Sequence, residues 1–150
     1  MHRTCTARVL SPSRPSHCVL RLLRATGLAE SDAAVVTSHM AAALEHLHSL
    51  GVAHRDVKPA NILQDGTEGK PIWRLCDFGF SVQAGPEGKQ RLKSKLGTLA
   101  YCAPEILFQN TAGGAGSAGG TSGKPPSGYL GPPVDMWALG CTVYEMRIGR

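Results

Sequence analysis

The chain has 150 residues, a formal net charge of +5 and a hydrophobic content of 42%, which suffices for one modest domain with a core. Aromatic residues make up only 5%, and no basic stripe is interleaved with them, so we expect no nucleic-acid partner. No apolar run approaches the roughly 18–20 residues that a membrane span needs, so we expect a soluble protein without a membrane partner.

Residues 1–18 are predicted to be a basic, poorly ordered segment, because two prolines lie there among serines and arginines. The first 29 residues contain five arginines and no acid, a composition that resembles a mitochondrial transit peptide. A basic start that continues into a helix explains the same composition, and we favour it over targeting. The apolar pattern of residues 19–25 predicts a short helix that stops near Gly27.

Residues 31–50 have the spacing of an amphipathic helix. The residues predicted to share its buried face are Val36, Met40, Leu44 and Leu47. Ser31 or Asp32 is the expected cap, and Gly51 suits a left-handed stop. Three histidines on this helix are more typical of solvated or packed side chains than of metal ligands.

Two short strands are predicted at residues 62–64 and 72–76, joined by a hairpin turn at residues 65–70. Trp73 is expected to pack rather than to bind a ligand. Residues 111–131 are rich in glycine and poor in apolar side chains, so we predict a flexible low-complexity insertion there. The segment 134–147 is apolar on nearly all sides, which predicts a helix buried all round.

The five cysteines have no CxxC-type spacing, so neither a disulfide framework nor a zinc site is favoured. Reduced thiols fit a cytoplasmic protein, with the nucleus as the alternative compartment.

Four runs of residues carry the chemistry. They are residues 54–61 (His-Arg-Asp-Val-Lys-Pro-Ala-Asn), 77–79 (Asp-Phe-Gly), 97–105 (Gly-Thr-Leu-Ala-Tyr-Cys-Ala-Pro-Glu) and 135–140 (Asp-Met-Trp-Ala-Leu-Gly). In this order and context they resemble the catalytic loop, the metal loop and the end of the activation segment of eukaryotic-type protein kinases. The resemblance covers about residues 19–150.

The resemblance implies a role for each of several side chains. Asp56 would accept the proton of the substrate hydroxyl, and Lys58 would lie near the transferring phosphate. Asn61 and Asp77 would hold Mg²⁺ through oxygen ligands. Leu63 matches the position under the adenine ring of ATP. Together, the resemblance assigns ATP contacts to Lys58, Asn61, Leu63 and Asp77.

The pattern of the catalytic loop favours a serine/threonine kinase. The lysine at position 58 and the threonine at position 98 are typical of that class, and the resemblance places the Thr98 hydroxyl against Asp56 and Lys58. The expected partner is therefore a protein substrate that presents a serine or threonine.

Arg55 and Ser94 suggest regulation. In related kinases the arginine before the catalytic aspartate pairs with a phosphate on the activation segment. Ser94 lies three residues before Gly97, among four cations whose mutual repulsion a phosphate would relieve. We therefore expect an upstream kinase to act on Ser94, and the alternative is a solvated basic loop that is never phosphorylated.

The sequence upstream of His54 contains no Gly-rich loop of the GxGxxG kind and no strand with a phosphate-binding lysine. The expected fold is thus α+β and mainly helical, a kinase-like large lobe that is incomplete at both ends. The expected activity is phosphotransfer from ATP to protein serine or threonine. The alternative is a catalytically inactive kinase lobe that acts as an interaction or regulatory protein.

Overall fold

The structure, a computed structural model, describes residues 18–23, 26–67, 70–108 and 128–149. The predictions for residues 1–17 and for most of the 111–131 insertion lie outside these residues. The regular elements in chain order are α1 (Val19–Leu22), α2 (Glu30–Ser49), β1 (Val52–Ala53), β2 (Ile62–Thr67), β3 (Lys70–Leu75), β4 (Val82–Gln83), α3 (Pro104–Leu107) and α4 (Gly131–Ile148).

Helix α2 confirms the predicted amphipathic helix and carries one side of the core. Val36, Met40 and Leu44 are fully buried, and Leu47 packs partly against the same cluster. The predicted cap is wrong, because the helix begins after Ala29 and no side chain caps its first turn. Gly51 has a φ of +72°, the left-handed conformation expected where a helix stops.

Strands β2 and β3 form an antiparallel hairpin that is longer than predicted. Ile62 pairs with Leu75 and Thr67 with Lys70, so the ladder continues through residues that the sequence assigned to the turn. Trp73 on β3 is buried in the same core as α2, which confirms its packing role. Strand β1 pairs with β4 in a second two-stranded sheet, which joins the chain just before residues 54–61 to the segment that follows the Asp-Phe-Gly run.

Helix α4 corrects the prediction of a helix buried on all sides. One face is buried: Leu139 and Met146 pack in the core that α2 shares, and Val134 packs in a second cluster with Ala53 and Leu92. The opposite face exposes about half of Met136 and Trp137 and two thirds of Tyr144. The pattern of apolar residues was correct, but the described elements cover only one side of this helix.

None of the helices in the described part of the chain combines the length and the hydropathy that crossing a membrane requires.

Candidate active site

The backbone of the loop at residues 54–57 is held by one buried carboxylate on α4. Asp135 Oδ2 accepts the His54 N–H at 2.9 Å, and Asp135 Oδ1 accepts the Arg55 N–H at 2.7 Å. The ring of His48, on α2, lies 2.8 Å from Oδ2 of the same carboxylate. Asp135 is fully buried, so these partners replace the water that a carboxylate otherwise needs. Two helices thereby fix the loop.

Two residues of the site adopt left-handed backbone conformations that side chains other than glycine rarely take. Arg55 has a φ of +67° and Asp77 a φ of +63°. The left-handed conformation of Arg55 occurs where the backbone N–H groups of two consecutive residues, His54 and Arg55, both donate to Asp135. Such backbone strain persists only where surrounding contacts over-determine it, and it clusters at functional sites.

The Asp56 carboxylate is the centre of the polar network. Its Oδ1 accepts hydrogen bonds from the Thr98 hydroxyl at 2.8 Å and the Thr98 N–H at 3.1 Å. Its Oδ2 accepts from Lys58 Nζ at 2.8 Å and from Asn61 Nδ2 at 3.0 Å. Lys58 Nζ also donates to Thr98 Oγ1 at 2.7 Å, which closes a ring of three side chains. These four residues, predicted separately, form a single cluster.

The pKa of Asp56 follows from this network. Burial raises the pKa, but the hydrogen bonds from Lys58, Thr98 and Asn61 and the charge of Lys58 together lower it below the ordinary value. The carboxylate is therefore ionised near neutral pH, with its two oxygens saturated by donors.

Gly97 allows Thr98 to reach Asp56. Its φ is +111°, and a Cβ there would lie 2.6 Å from the carbonyl oxygen of Arg55. Only glycine combines this conformation with so close a backbone approach. The glycine of the 97–105 run is thus required for the contact between the activation segment and the catalytic loop.

His54 links the catalytic loop to the Asp-Phe-Gly run. Its ring meets Phe78 edge-on, with centroids 5.1 Å apart. Nδ1 accepts the Asp56 N–H at 3.3 Å, while Nε2 lies 3.1 Å from the Cys76 carbonyl oxygen. One nitrogen accepts and the other donates, which is the pattern of a neutral ring. Burial lowers the pKa of His54 and outweighs the nearby carboxylates, which raise it, so the neutral ring is favoured.

Asn61 and Asp77 have donor atoms that fit a magnesium ion. The Asn61 amide nitrogen donates to Asp56, which leaves its Oδ1 as the remaining ligand atom. The Asp77 carboxylate is exposed and accepts one bond, from the Gly79 N–H at 3.2 Å. The Cys76 N–H donates to the Asn61 carbonyl oxygen at 2.9 Å. Since Asp77 directly follows Cys76, Asn61 and Asp77 lie at the same end of the β2–β3 hairpin.

Two oxygen donors are what Mg²⁺ takes from a protein when phosphates and water supply the rest. Among the described residues, no three or more His, Cys, Asp or Glu side chains are grouped so that they could hold a metal ion. Such side chains alone therefore do not complete a metal coordination shell there. The donor set therefore fits magnesium bound together with a phosphate compound.

Arg55 and Ser94 lie in direct contact. Arg55 Nη1 donates to Ser94 Oγ at 2.8 Å, and Arg55 Nε donates to the Phe80 carbonyl at 2.7 Å. The Tyr129 hydroxyl donates to the Ser94 carbonyl at 2.8 Å. The Ser94 hydroxyl is therefore positioned on the guanidinium group, and the residue is exposed to solvent like the neighbouring Lys93.

Leu63 stands apart from this cluster. It lies half-buried on β2, bridged through its backbone to Cys18 and paired with Arg74. Cys76, which directly precedes Asp77 and contacts the Asn61 carbonyl, is also half-buried. Burial, with smaller effects from Asp77 and Cys18, raises the pKa of the Cys76 thiol and makes it a weak nucleophile.

Asp135 and His48 position the site, and neither was predicted from the sequence to do so. Asp135 was noted only as part of a matching run, and His48 only as one of three helical histidines. The available signal was an aspartate inside an otherwise apolar helix, since a charge there needs buried partners.

A family model described as the protein kinase domain matches residues 13–150. The chain belongs to the protein kinase family. The resemblance carried by the four sequence runs is therefore confirmed. The kinase relatives include myotonin-protein kinase of Mus musculus, 41% identical over 108 residues, which is 72% of this chain and 15% of the relative.

Two further kinases match more of the chain. Rho-associated protein kinase 1 of Homo sapiens is 33% identical over 135 residues, which is 90% of this chain and 9% of that protein. Serine/threonine-protein kinase SRK2H of Arabidopsis thaliana is 32% identical over 129 residues, 86% of this chain and 30% of that protein. The kinase chain described here thus spans less than a third of the length of each of these relatives.

Proposed function

We propose that the chain is the catalytic region of a serine/threonine protein kinase, which transfers the γ-phosphate of ATP to protein hydroxyls. The observation that carries the proposal is the cluster in which Asp56, Lys58, Asn61 and Thr98 share one carboxylate. Membership of the protein kinase family implies ATP and a protein as substrates. The described portion corresponds to the large lobe of such an enzyme.

In the proposed reaction, Asp56 receives the proton of the acceptor hydroxyl. The acceptor oxygen forms a bond to the γ-phosphorus, and the bond from that phosphorus to the oxygen bridging the β- and γ-phosphates breaks. Both Asp56 oxygens already accept two protein donors each, so the acceptor hydroxyl replaces one of them. The lowered pKa keeps Asp56 ionised and ready to accept.

Lys58 supplies positive charge beside the same carboxylate. Its ammonium is held by Asp56 and Thr98, so it is oriented before any phosphate arrives. Asn61 and Asp77 would hold Mg²⁺, which neutralises charge on the phosphate oxygens. Leu63, on β2, is proposed to contact the adenine ring from below.

The proposal for serine and threonine as acceptors depends on Lys58 and Thr98. The Lys58–Thr98 bond of 2.7 Å joins the catalytic loop to the activation segment directly beside the proposed base. One relative is itself named a serine/threonine-protein kinase, which supports the same class.

The test uses the 150-residue chain with Mg²⁺ and radiolabelled ATP. Three peptides that differ only in having serine, threonine or tyrosine as acceptor are compared. We expect label on the serine and threonine peptides, and none with the Asp56→Asn variant. Asp65→Asn, an exposed carboxylate on the hairpin, is the matched control and should leave transfer unchanged. Transfer to tyrosine alone would contradict the proposed acceptor class.

Phosphorylation of Ser94 is the proposed regulation. A phosphate on its oxygen would meet the Arg55 guanidinium, which already donates to that atom at 2.8 Å. The new ion pair would order the activation segment. Phosphorylated chain should therefore show slower hydrogen exchange at residues 92–98 than unmodified chain. Unchanged exchange on phosphorylation, together with unchanged transfer by Ser94→Ala, would contradict this regulation.

The alternative function is a catalytically inactive kinase lobe that binds other proteins. The exposed face of α4 favours it, since Met136, Trp137 and Tyr144 line a depression of about 720 Å³ whose lining does not include Asp56. Titration of a fluorescent ATP analogue separates the two functions. Magnesium-dependent binding that Asp77→Asn abolishes supports the kinase, whereas absence of both binding and transfer supports the interaction protein.

A further inference from the structure

Four cations and no acid lie at positions 89–104, the stretch that contacts the proposed base Asp56 through Thr98. The cations are Lys89, Arg91, Lys93 and Lys95, and the side chains of all four are exposed. Charge of one sign concentrated on a surface attracts ligands of the opposite sign and raises their rate of association.

The backbone that carries these cations is fixed to the body of the domain. Leu92 and Tyr129 exchange two backbone hydrogen bonds, of 2.8 and 2.9 Å, and both side chains are buried. Two residues further on, Ser94 contacts Arg55 and Tyr129. The cations at 91, 93 and 95 therefore alternate with anchored residues.

Within the part of the chain that the structure describes, Arg91, Lys93 and Lys95 form no salt bridge with an acid. Arg91 Nη1 donates to the Gly128 carbonyl at 2.7 Å, and Lys95 Nζ donates weakly to the Leu107 carbonyl at 3.4 Å. Carbonyl partners orient a cation but do not neutralise it. The positive charge is therefore available to a ligand.

The charged residues lie close to the place where an acceptor hydroxyl must sit. Thr98 contacts Asp56 at 2.8 Å, and Lys95 is three residues before Thr98. Since an extended chain spans at most about 3.6 Å per residue, the Lys95 Cα lies within about 11 Å of the Thr98 Cα. Lys95 is therefore close enough to Asp56 to meet residues that flank an acceptor bound there.

We propose that the basic stretch formed by Arg91, Lys93 and Lys95 selects protein substrates with Asp or Glu beside the acceptor serine or threonine. The proposal rests on the proposed kinase function and names its substrate class. The exposed side chains of Leu96 and Leu99 adjoin the stretch and offer apolar contact to the same peptide.

Peptide binding to the 150-residue chain tests this selectivity without requiring turnover. Three fluorescent peptides share a central serine and carry glutamate, glutamine or lysine in the flanking positions. Fluorescence anisotropy in the absence of ATP gives their dissociation constants. We expect the glutamate peptide to bind tightest and its advantage to shrink as salt is raised, because exposed charges are screened.

The Lys93→Gln/Lys95→Gln double variant should lose about threefold to tenfold of the preference for glutamate over glutamine, since each exposed pair contributes modestly. The control, Arg74→Gln/Arg147→Gln, removes the same charge from exposed positions elsewhere. Circular dichroism checks that both fold.

The proposal is overturned if the glutamate and glutamine peptides bind equally, or if the control variant loses the preference as much as the test variant. Absence of phosphate transfer with intact glutamate preference rejects the kinase function and not this selectivity. Transfer that ignores the flanking residues, with equal binding of the peptides, rejects the selectivity alone.

Discussion

The catalytic loop and the activation segment face each other across Asp56, but they are held in different ways. The loop at residues 54–61 is buried, and one carboxylate on α4 fixes two of its backbone N–H groups. The segment at 89–101 is mostly exposed, and separate contacts hold it to the body, among them those of Leu92, Ser94, Thr98 and Tyr101. The difference indicates a rigid centre beside a segment whose position depends on a few separable contacts.

This division has a physical consequence. A buried polar network loses much free energy when one member is removed, because the others are left unpaired in a medium of low dielectric constant. A mostly exposed segment that is held by a few separate contacts opens locally at a smaller free-energy cost. Changes in the loop should therefore affect global unfolding, while changes in the segment should affect local opening.

The largest effect is expected for Asp135→Asn. Asparagine keeps one oxygen acceptor, so its amide nitrogen would face the N–H group of either His54 or Arg55, and a donor would meet a donor in a fully buried position. Loss of one partner from a buried charged network typically lowers the free energy of unfolding by roughly 3–5 kcal/mol. Urea denaturation followed by circular dichroism measures it.

The exposed pair Asp65–Arg74 supplies the control for this experiment. Its nitrogen and oxygen lie 2.7 Å apart, but both side chains are about 40% exposed. Asp65→Asn should change the free energy of unfolding by less than about 1 kcal/mol. Equal effects of the two substitutions would contradict the view that Asp135 is the anchor of the loop.

The sequence could predict much of this centre. Asp56, Lys58, Asn61 and Thr98 were recognised from runs of residues in a known order, and the structure places them in one network. Asp135 was not recognised as their support, because its partners are backbone groups about 80 residues away, and a pattern of side chains carries no information about them.

The second effect in size is expected for Gly97→Ala. The new Cβ would lie 2.6 Å from the Arg55 carbonyl, and a φ of +111° is strained for alanine. The close contact and the unfavourable φ each cost on the order of 1–3 kcal/mol, and the segment can relieve both by moving Thr98 away from Asp56. Hydrogen exchange of residues 96–101 should therefore accelerate at least about tenfold.

Gly140→Ala is the matched control for Gly97→Ala, since no atom lies within 4 Å of its added Cβ and the residue is inside α4. The control should leave exchange in the segment unchanged. Acceleration by both substitutions to the same extent would mean that exchange there reports general instability and not the contact with Arg55.

A smaller effect is expected for Thr98→Val, which keeps the shape of the side chain and removes its hydroxyl. The hydroxyl's bond to Asp56 and the bond that it accepts from Lys58 disappear, at a cost of roughly 1–2 kcal/mol of local stability, while the backbone N–H bond to Asp56 remains. Thr98→Ser retains the hydroxyl and should keep exchange at residues 96–101 close to that of the parent. If serine behaves like valine, the methyl group and not the hydroxyl holds the segment.

The elements of the fold were predicted unevenly, for physical reasons. The spacing of Val36, Met40 and Leu44 defined α2, because helical periodicity is local information. The face of α4 that carries Met136, Trp137 and Tyr144 was predicted to be buried, yet these side chains are largely exposed. Hydrophobicity indicates what a helix can bury, whereas its actual neighbours depend on tertiary packing.

The smallest effect concerns His54, which joins the two regions through Asp56 and Phe78. Burial lowers its pKa, so the unfolded chain takes up a proton near pH 6.5 while the folded chain does not. The unfolded state then binds more protons, and stability must fall as the pH drops below about 6.5. Protonation also prevents Nδ1 from accepting the Asp56 N–H.

Urea denaturation at pH 7.5 and 5.5 should show this loss of stability, and His54→Gln should reduce it. His46→Gln, at an exposed position of α2, should not. A pH dependence that is the same in all three chains would assign the effect to other groups and leave His54 as a packing residue.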